Sequence, residues 1–107
     1  MKRDWELMKK ILHKIYDENG YNIEGYDIGT IYTNLKMLDE QSMLDIDWIR
    51  VAGSIEETKI PTYFALTWEG QNFVELTKNE TSWNKAKDYI NKNNPDFFDV
   101  IYFLKNR

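Results

Sequence analysis

The side chains able to do chemistry are few and far apart. His13 is the only histidine, and a lone imidazole cannot assemble the usual zinc sites. It lies between Leu12 and Lys14 on the basic side of a helical pattern, where the expectation is a solvated surface histidine. The chain has no cysteine, which excludes disulfides and thiolate zinc sites and agrees with a reducing compartment. Ser42, Ser54 and Ser82 have no base near them in sequence, so any nucleophilic triad would have to borrow His13. There is neither a glycine-rich phosphate loop nor an HExxH pattern. Asp45 and Asp47, two apart on one face of an extended segment, could join Glu40 around a hard cation. An acidic turn open to water is the commoner use of such residues. The expectation is therefore a protein that is not an enzyme and holds no metal, cofactor or small-molecule ligand.

The elements that would position these residues follow from periodicity. Residues 4–17 carry Trp5, Met8, Ile11, Leu12, Ile15 and Tyr16 at three- and four-residue spacing, an amphipathic helix with Asp4 and Glu6 at its positive end. Asn19-Gly20 stops it, with Gly20 expected in the left-handed conformation. Residues 21–23 read as a short extended piece and residues 24–26 as a turn. Asp27 then caps a second helix reaching about Ser42, with Ile28, Ile31, Leu35 and Leu38 as its apolar stripe and Tyr32 and Met37 beside it. Met43-Leu44 reads as a packed exit.

Residues 46–51 alternate as a strand, Ile46 and Trp48 on one side, Ile49 and Val51 on the other. Residues 52–60 read as an exposed loop, and Pro61 as the residue before a second strand over 63–66. Thr67 caps a third helix from Trp68 to about Thr77. Two more helical patterns, 81–91 and 96–105, flank the break at Asn93-Asn94-Pro95. The breaks are too short to separate domains, so residues 1–107 read as one domain with a helical extension over about 81–107.

Composition limits the partners. Apolar residues make up 42% and aromatics 15% of the 107 residues, enough for one core and too many for a disordered chain. No stretch approaches the roughly 18 apolar residues of a membrane span, and the basic N-terminus leads into no apolar run. A cytoplasmic protein is expected. The net charge of −4 is unevenly spread: residues 17–47 carry eight carboxylates and the single base Lys36, while both ends are mildly basic. Such asymmetry bears on partners and not on fold.

A helix-containing segment followed by a hairpin with an exposed loop is the arrangement of a winged helix, an α+β and mostly helical class. The 52–60 loop would be the wing, and the 27–42 helix would stand in the place of the recognition helix. The additional helix usual before it must be very short here, since only residues 21–26 are available. Met1-Lys2-Arg3-Asp4 opening the first helix, Ile23-Glu24-Gly25-Tyr26, the LTWEG stretch Leu66–Gly70 followed by Phe73, and the WNKAK stretch Trp83–Lys87 occur in this order. Together they resemble the bacterial and prophage-associated family known as domain of unknown function twenty-five-thirteen, over nearly the whole chain. The resemblance implies a winged-helix-like fold and a phage or low-GC bacterial setting, with no activity to carry over. Where that family often has histidine after the LTWEG glycine, this chain has Gln71. Physical chemistry accounts for the motifs structurally: Thr67 caps, Trp68 covers the edge of the core, Gly70 permits close approach, and Trp83 pins the C-terminal helices.

Two functions compete. In the first, the 27–42 helix reads double-stranded DNA through Thr30, Thr33, Asn34, Lys36 and Gln41, with Arg50 and Lys59 placing the wing on the backbone. DNA affinity comes largely from neutralised phosphates, typically about six to ten contacts, and the acidic 17–47 segment opposes this. In the second, favoured, reading the domain is a regulatory or accessory module that binds a protein partner or a second copy of itself. Asp39 and Glu40 on the acidic side, and Phe97, Phe98, Tyr102 and Phe103, which cannot all point inward on one short helix, are its candidate contacts.

Overall fold

The structure, a computed structural model, describes residues 3–51 and 59–106. Among the described residues, five helices and two strands follow one another: α1 (Trp5–Glu18), α2 (Ile28–Glu40), β1 (Leu44–Arg50), β2 (Lys59–Leu66), α3 (Trp68–Thr77), α4 (Glu80–Asn93) and α5 (Phe97–Lys105). The class is α+β and mostly helical, as the periodicity implies. Of the expected 52–60 loop, residues 52–58 with Ser54 lie outside the described residues, and Lys59 and Ile60 already belong to β2. Residues 1, 2 and 107 also lie outside them, and with them the Met1-Lys2 that opens the family motif.

Every helix starts on a short polar side chain that accepts a backbone N–H three residues on. Asp4 takes Leu7, Asp27 takes Thr30, Thr67 takes Gly70, Asn79 takes Ser82 and Asp96 takes Asp99, at 2.8–3.0 Å. Each such cap stabilises its helix by about 1 kcal/mol. Asp99 returns the interaction to the Asp96 N–H, completing a capping box.

The helices cover one apolar core. α1 contributes Trp5, Leu7, Met8, Ile11, Leu12 and Ile15, and it packs on α2, α3 and β2. From the facing elements come Ile31, Leu35 and Leu38, then Phe73 and Val74, then Trp83 and Ala86, then Phe97 and Val100. A run of tilted and edge-to-face rings ties the C-terminal helices to α1: Trp5 to Phe97 at 4.6 Å, Phe97 to Phe73 at 5.2 Å, Phe73 to Trp83 at 6.0 Å. The indole N–H of the buried Trp83 donates to Glu6 on α1 at 2.9 Å, the pinning role its motif implies.

The strands form one antiparallel hairpin running from Leu44 opposite Leu66 to Arg50 opposite Lys59. The register slips between Asp47 and Trp48. Tyr63 pairs with Asp47 and Pro61 with Trp48, so Thr62 is the unpaired residue, and its hydroxyl bridges back to the Asp47 carbonyl at 3.2 Å. Pro61 is thus inside β2 and not ahead of it. A two-stranded sheet tolerates it because its missing donor lies next to the irregularity or on an open edge.

Gly70 shows why the LTWEG stretch needs glycine. A Cβ there would lie 2.1 Å from the Met43 carbonyl oxygen. The buried Met43-Leu44 exit and the first turn of α3 therefore meet backbone to backbone. The Thr67 N–H reaches the Met43 carbonyl at 3.2 Å and the Thr67 hydroxyl donates to the Ser42 carbonyl at 2.6 Å.

Several local expectations change. The left-handed residue after α1 is Asn19, with φ 55°, and not Gly20, because the asparagine N–H already closes the helix on the Ile15 carbonyl. Residues 21–23 form no strand, although Tyr21 packs edge-on against Phe64 at 5.2 Å. Ile28 is 49% exposed, being the first residue of α2 and one turn beyond the core. Trp68 is 77% exposed and covers nothing: it stands on the side of α3 opposite Gly70, Phe73, Val74 and Thr77.

Candidate functional site

The second helix and the hairpin behind it carry most of the residues considered for recognition. Along α2 the buried stripe is Ile31, Asn34, Leu35 and Leu38. Asn34 is 7% exposed and donates its side-chain amide to the Thr30 carbonyl at 2.9 Å. It therefore cannot serve as an adenine-reading amide, because its position falls on the core side of the helix. Thr30 is half-buried, and Thr33 is exposed with its hydroxyl donated to the Gly29 carbonyl. Lys36 and Glu40 are exposed, while Asp39 and Gln41 are half-buried. Arg50 and Lys59 face each other at the end of the hairpin where β1 connects to β2, both exposed.

One open groove, about 400 Å³, gathers part of this set between α2 and the hairpin. Its lining joins Thr33, Lys36, Asp39 and Glu40 with Lys59 and the rings of Tyr32 and Trp48. Those rings meet almost at right angles, with centroids 6.3 Å apart and planes at 82°. The Trp48 indole N–H donates to Asp39 at 3.2 Å, which fixes the ring against the end of α2. Pairing of carboxylates with aromatic walls was not read from the sequence. The signal was present, since Ile46 and Trp48 share the side of β1 that turns toward α2.

The outer face of β1 carries Asp45 and Asp47, both exposed. No group of three or more His, Cys, Asp or Glu side chains suited to a metal ion occurs among the described residues, so Glu40 does not complete a site with them. On α5, Phe97 is fully buried and is not an interface residue, its ring being locked between Trp5 and Phe73. Phe98 and Tyr102, one turn apart, are exposed by 47% and 70%. Phe103 is half-buried and stacks on Tyr89 at 4.6 Å. The four aromatics divide as the length of the helix requires.

His13 is not a solvated residue. It is half-buried between α1 and α3, with Nε2 2.7 Å from the Thr77 hydroxyl. That hydroxyl donates to the Phe73 carbonyl at 2.7 Å, so the imidazole supplies the N–H to it. Burial and then the Lys9 charge lower the imidazole pKa; Lys78 acts in the same direction, and Asp17 and Glu75 oppose it. The arrangement is a packing contact between α1 and α3, in which the imidazole donates to the Thr77 hydroxyl and that hydroxyl donates to the Phe73 carbonyl. Burial raises the Glu6 carboxyl pKa, but the Trp83 indole and Lys87, helped by the charge of Lys9, more than offset this and hold it below its usual range. No helix among the described residues is long and apolar enough to cross a membrane.

Comparison with known proteins gives a family and little chemistry. A relative from Haemophilus influenzae described as "Uncharacterized protein" is 27% identical over 104 residues, covering 90% of this chain and 84% of the relative. No solved structure matches the chain significantly. The family model described as "Hypothetical protein (DUF2513)" matches residues 2–95, a span that contains both the LTWEG and the WNKAK stretches. The chain therefore belongs to the DUF2513 family, as its motifs imply.

Proposed function

We propose that this protein is a non-enzymatic regulatory or accessory module of the cytoplasm, built on a winged-helix-type scaffold, whose acidic α2–β1 side docks a basic surface of a protein partner. The observation that carries the reading is the state of α2. Its one mid-helix amide, Asn34, is turned into the core, and its one base, Lys36, stands a turn from Glu40. A duplex-reading helix needs the opposite, amides outward and cations unopposed, because phosphate neutralisation supplies most of the affinity. Asp39 and Glu40 at the end of α2 suit a cationic partner surface, and Asp45 and Asp47 on the outer face of β1 add negative charge that steers encounter with it. Phe98 and Tyr102 offer a second contact area of apolar character. The phage setting implied by the family resemblance fits an accessory role of this kind.

A second reading, duplex DNA binding, is favoured by one observation: Thr33, Lys36 and Lys59 line the same groove, where α2 and the base of a wing would meet a duplex. The two readings give Lys36 opposite roles. The test is crosslinking mass spectrometry on complexes captured from a bacterial lysate, with wild type and the Asp39→Lys/Glu40→Lys variant as baits. The expected result is a protein held through α2 and β1 by wild type and lost by the variant. Equal capture by both baits, or capture abolished by nuclease, would overturn the proposal.

A further inference from the structure

The groove between α2 and the hairpin has a chemistry of its own. We propose that it is the seat of an arginine side chain presented by the basic partner, with the guanidinium against the perpendicular rings of Tyr32 and Trp48 and its N–H groups on Asp39 and Glu40. This rests on the protein-interaction reading and deepens it. The two rings stand edge to face at 82° and both line the groove, so aromatic surface flanks the carboxylates. The Trp48–Asp39 hydrogen bond holds ring and carboxylate in one fixed relation, so the site is organised before anything binds. At about 400 Å³ the open groove has room for a side chain and its flanking backbone.

The occupant is an arginine and not a lysine for a physical reason. Lys36 and Lys59 also line the groove, so its charges roughly balance and it does not attract cations through bulk potential. What it offers is directional: aromatic rings held beside carboxylate oxygens. A guanidinium is planar, weakly hydrated, able to stack while donating in its own plane to a carboxylate; an ammonium is a strongly hydrated point charge that can neither stack flat nor donate in a planar fork.

The experiment is a titration of the full ¹⁵N-labelled chain with octa-arginine and with octa-lysine at about 50 mM salt, a low-salt condition that preserves surface electrostatics. The indole resonance of Trp48 is identified by its loss in Trp48→Phe. Octa-arginine is expected to shift that resonance saturably and to bind about tenfold more tightly than octa-lysine. Glu40→Gln, a change at an exposed position, is expected to weaken octa-arginine severalfold while leaving the remaining spectrum in place. Lys36→Met is expected to tighten it by removing a like charge. Equal affinity for the two peptides, or binding that leaves the Trp48 indole unmoved, would overturn the arginine seat but not the acidic docking face. Failure of the wild type to bind either peptide would overturn both.

Discussion

Replacing Gly70 by alanine probes the contact on which the hairpin and the C-terminal helices are hung. On an isolated helix the change is favourable by at most about 1 kcal/mol. In this fold the added methyl would sit 2.1 Å from the Met43 carbonyl oxygen, 3.1 Å from its carbon and 3.2 Å from Leu66 Cδ2. Two of those three neighbours are backbone, and Met43 is fully buried, so no flexible chain end can yield. The first turn of α3 has to retreat. Its Thr67 N–H bond to Met43 and Thr67 hydroxyl bond to Ser42 then stretch or break. Overpacking costs about 1–3 kcal/mol and the two hydrogen bonds about 1 kcal/mol each. Set against the helix gain, the net loss is about 2–4 kcal/mol, a fall in Tm of roughly 10–20 °C for a domain of this size. Thermal unfolding followed by far-UV circular dichroism and urea titration at constant m measure it. A Gly70→Ala protein as stable as wild type would refute the backbone-to-backbone packing of α3 on the β1 entrance.

Other substitutions separate structure from surface. Trp83→Ala removes a side chain that is 2% exposed together with its hydrogen bond to Glu6, and is expected to cost about 3–5 kcal/mol in urea unfolding; retention of wild-type Tm with loss of a partner would make Trp83 an interface residue instead. Trp68→Ala, at a site 77% exposed, is expected to leave stability within about 0.5 kcal/mol, and a large drop would show that the LTWEG tryptophan is covered. The imidazole of His13 is depressed below its ordinary value of 6.5 in the folded state, chiefly by burial. The unfolded chain thus takes up that proton first, and the contribution of neutral His13 is complete above 6.5 and lost as pH falls through 6.5 toward the folded value. Urea midpoints measured between pH 8 and 5 should therefore decline on the acid side, less so in His13→Gln; parallel curves for the two proteins would contradict this.

Much of the architecture was legible because periodicity and caps agree. Asp27 and Thr67 were identifiable as caps since each precedes an apolar helical repeat, and the structure uses both. Gly70 was readable as a close-approach position, although the element it meets is the Met43 turn rather than the strands alone. Trp68 shows where residue type misleads. Its hydrophobicity suggests cover for the core, yet at about 100° per residue it falls on the side of α3 away from Phe73 and Val74. Asn34 is the converse: a polar type suggests solvent, while its spacing from Ile31 and Leu38 places it inside, where bonding to Thr30 satisfies it. His13 escaped because its partner Thr77 is remote in sequence, and no local pattern reports a contact between α1 and α3. The groove of Tyr32, Trp48, Asp39 and Glu40 was divided between two elements, each readable by itself, and only their packing brings ring and carboxylate together.

Whether the α2 side meets a duplex or a protein is tested most directly by fluorescence anisotropy of labelled genomic duplex fragments titrated with the purified chain at about 50 and 200 mM salt, conditions between which phosphate-driven binding falls by orders of magnitude. The expected result is no saturable binding at either salt, with Lys36→Glu behaving as wild type. Tight binding at low salt that collapses at high salt and is abolished by Lys36→Glu would contradict the protein-docking role of the acidic face and make α2 a DNA-contacting helix.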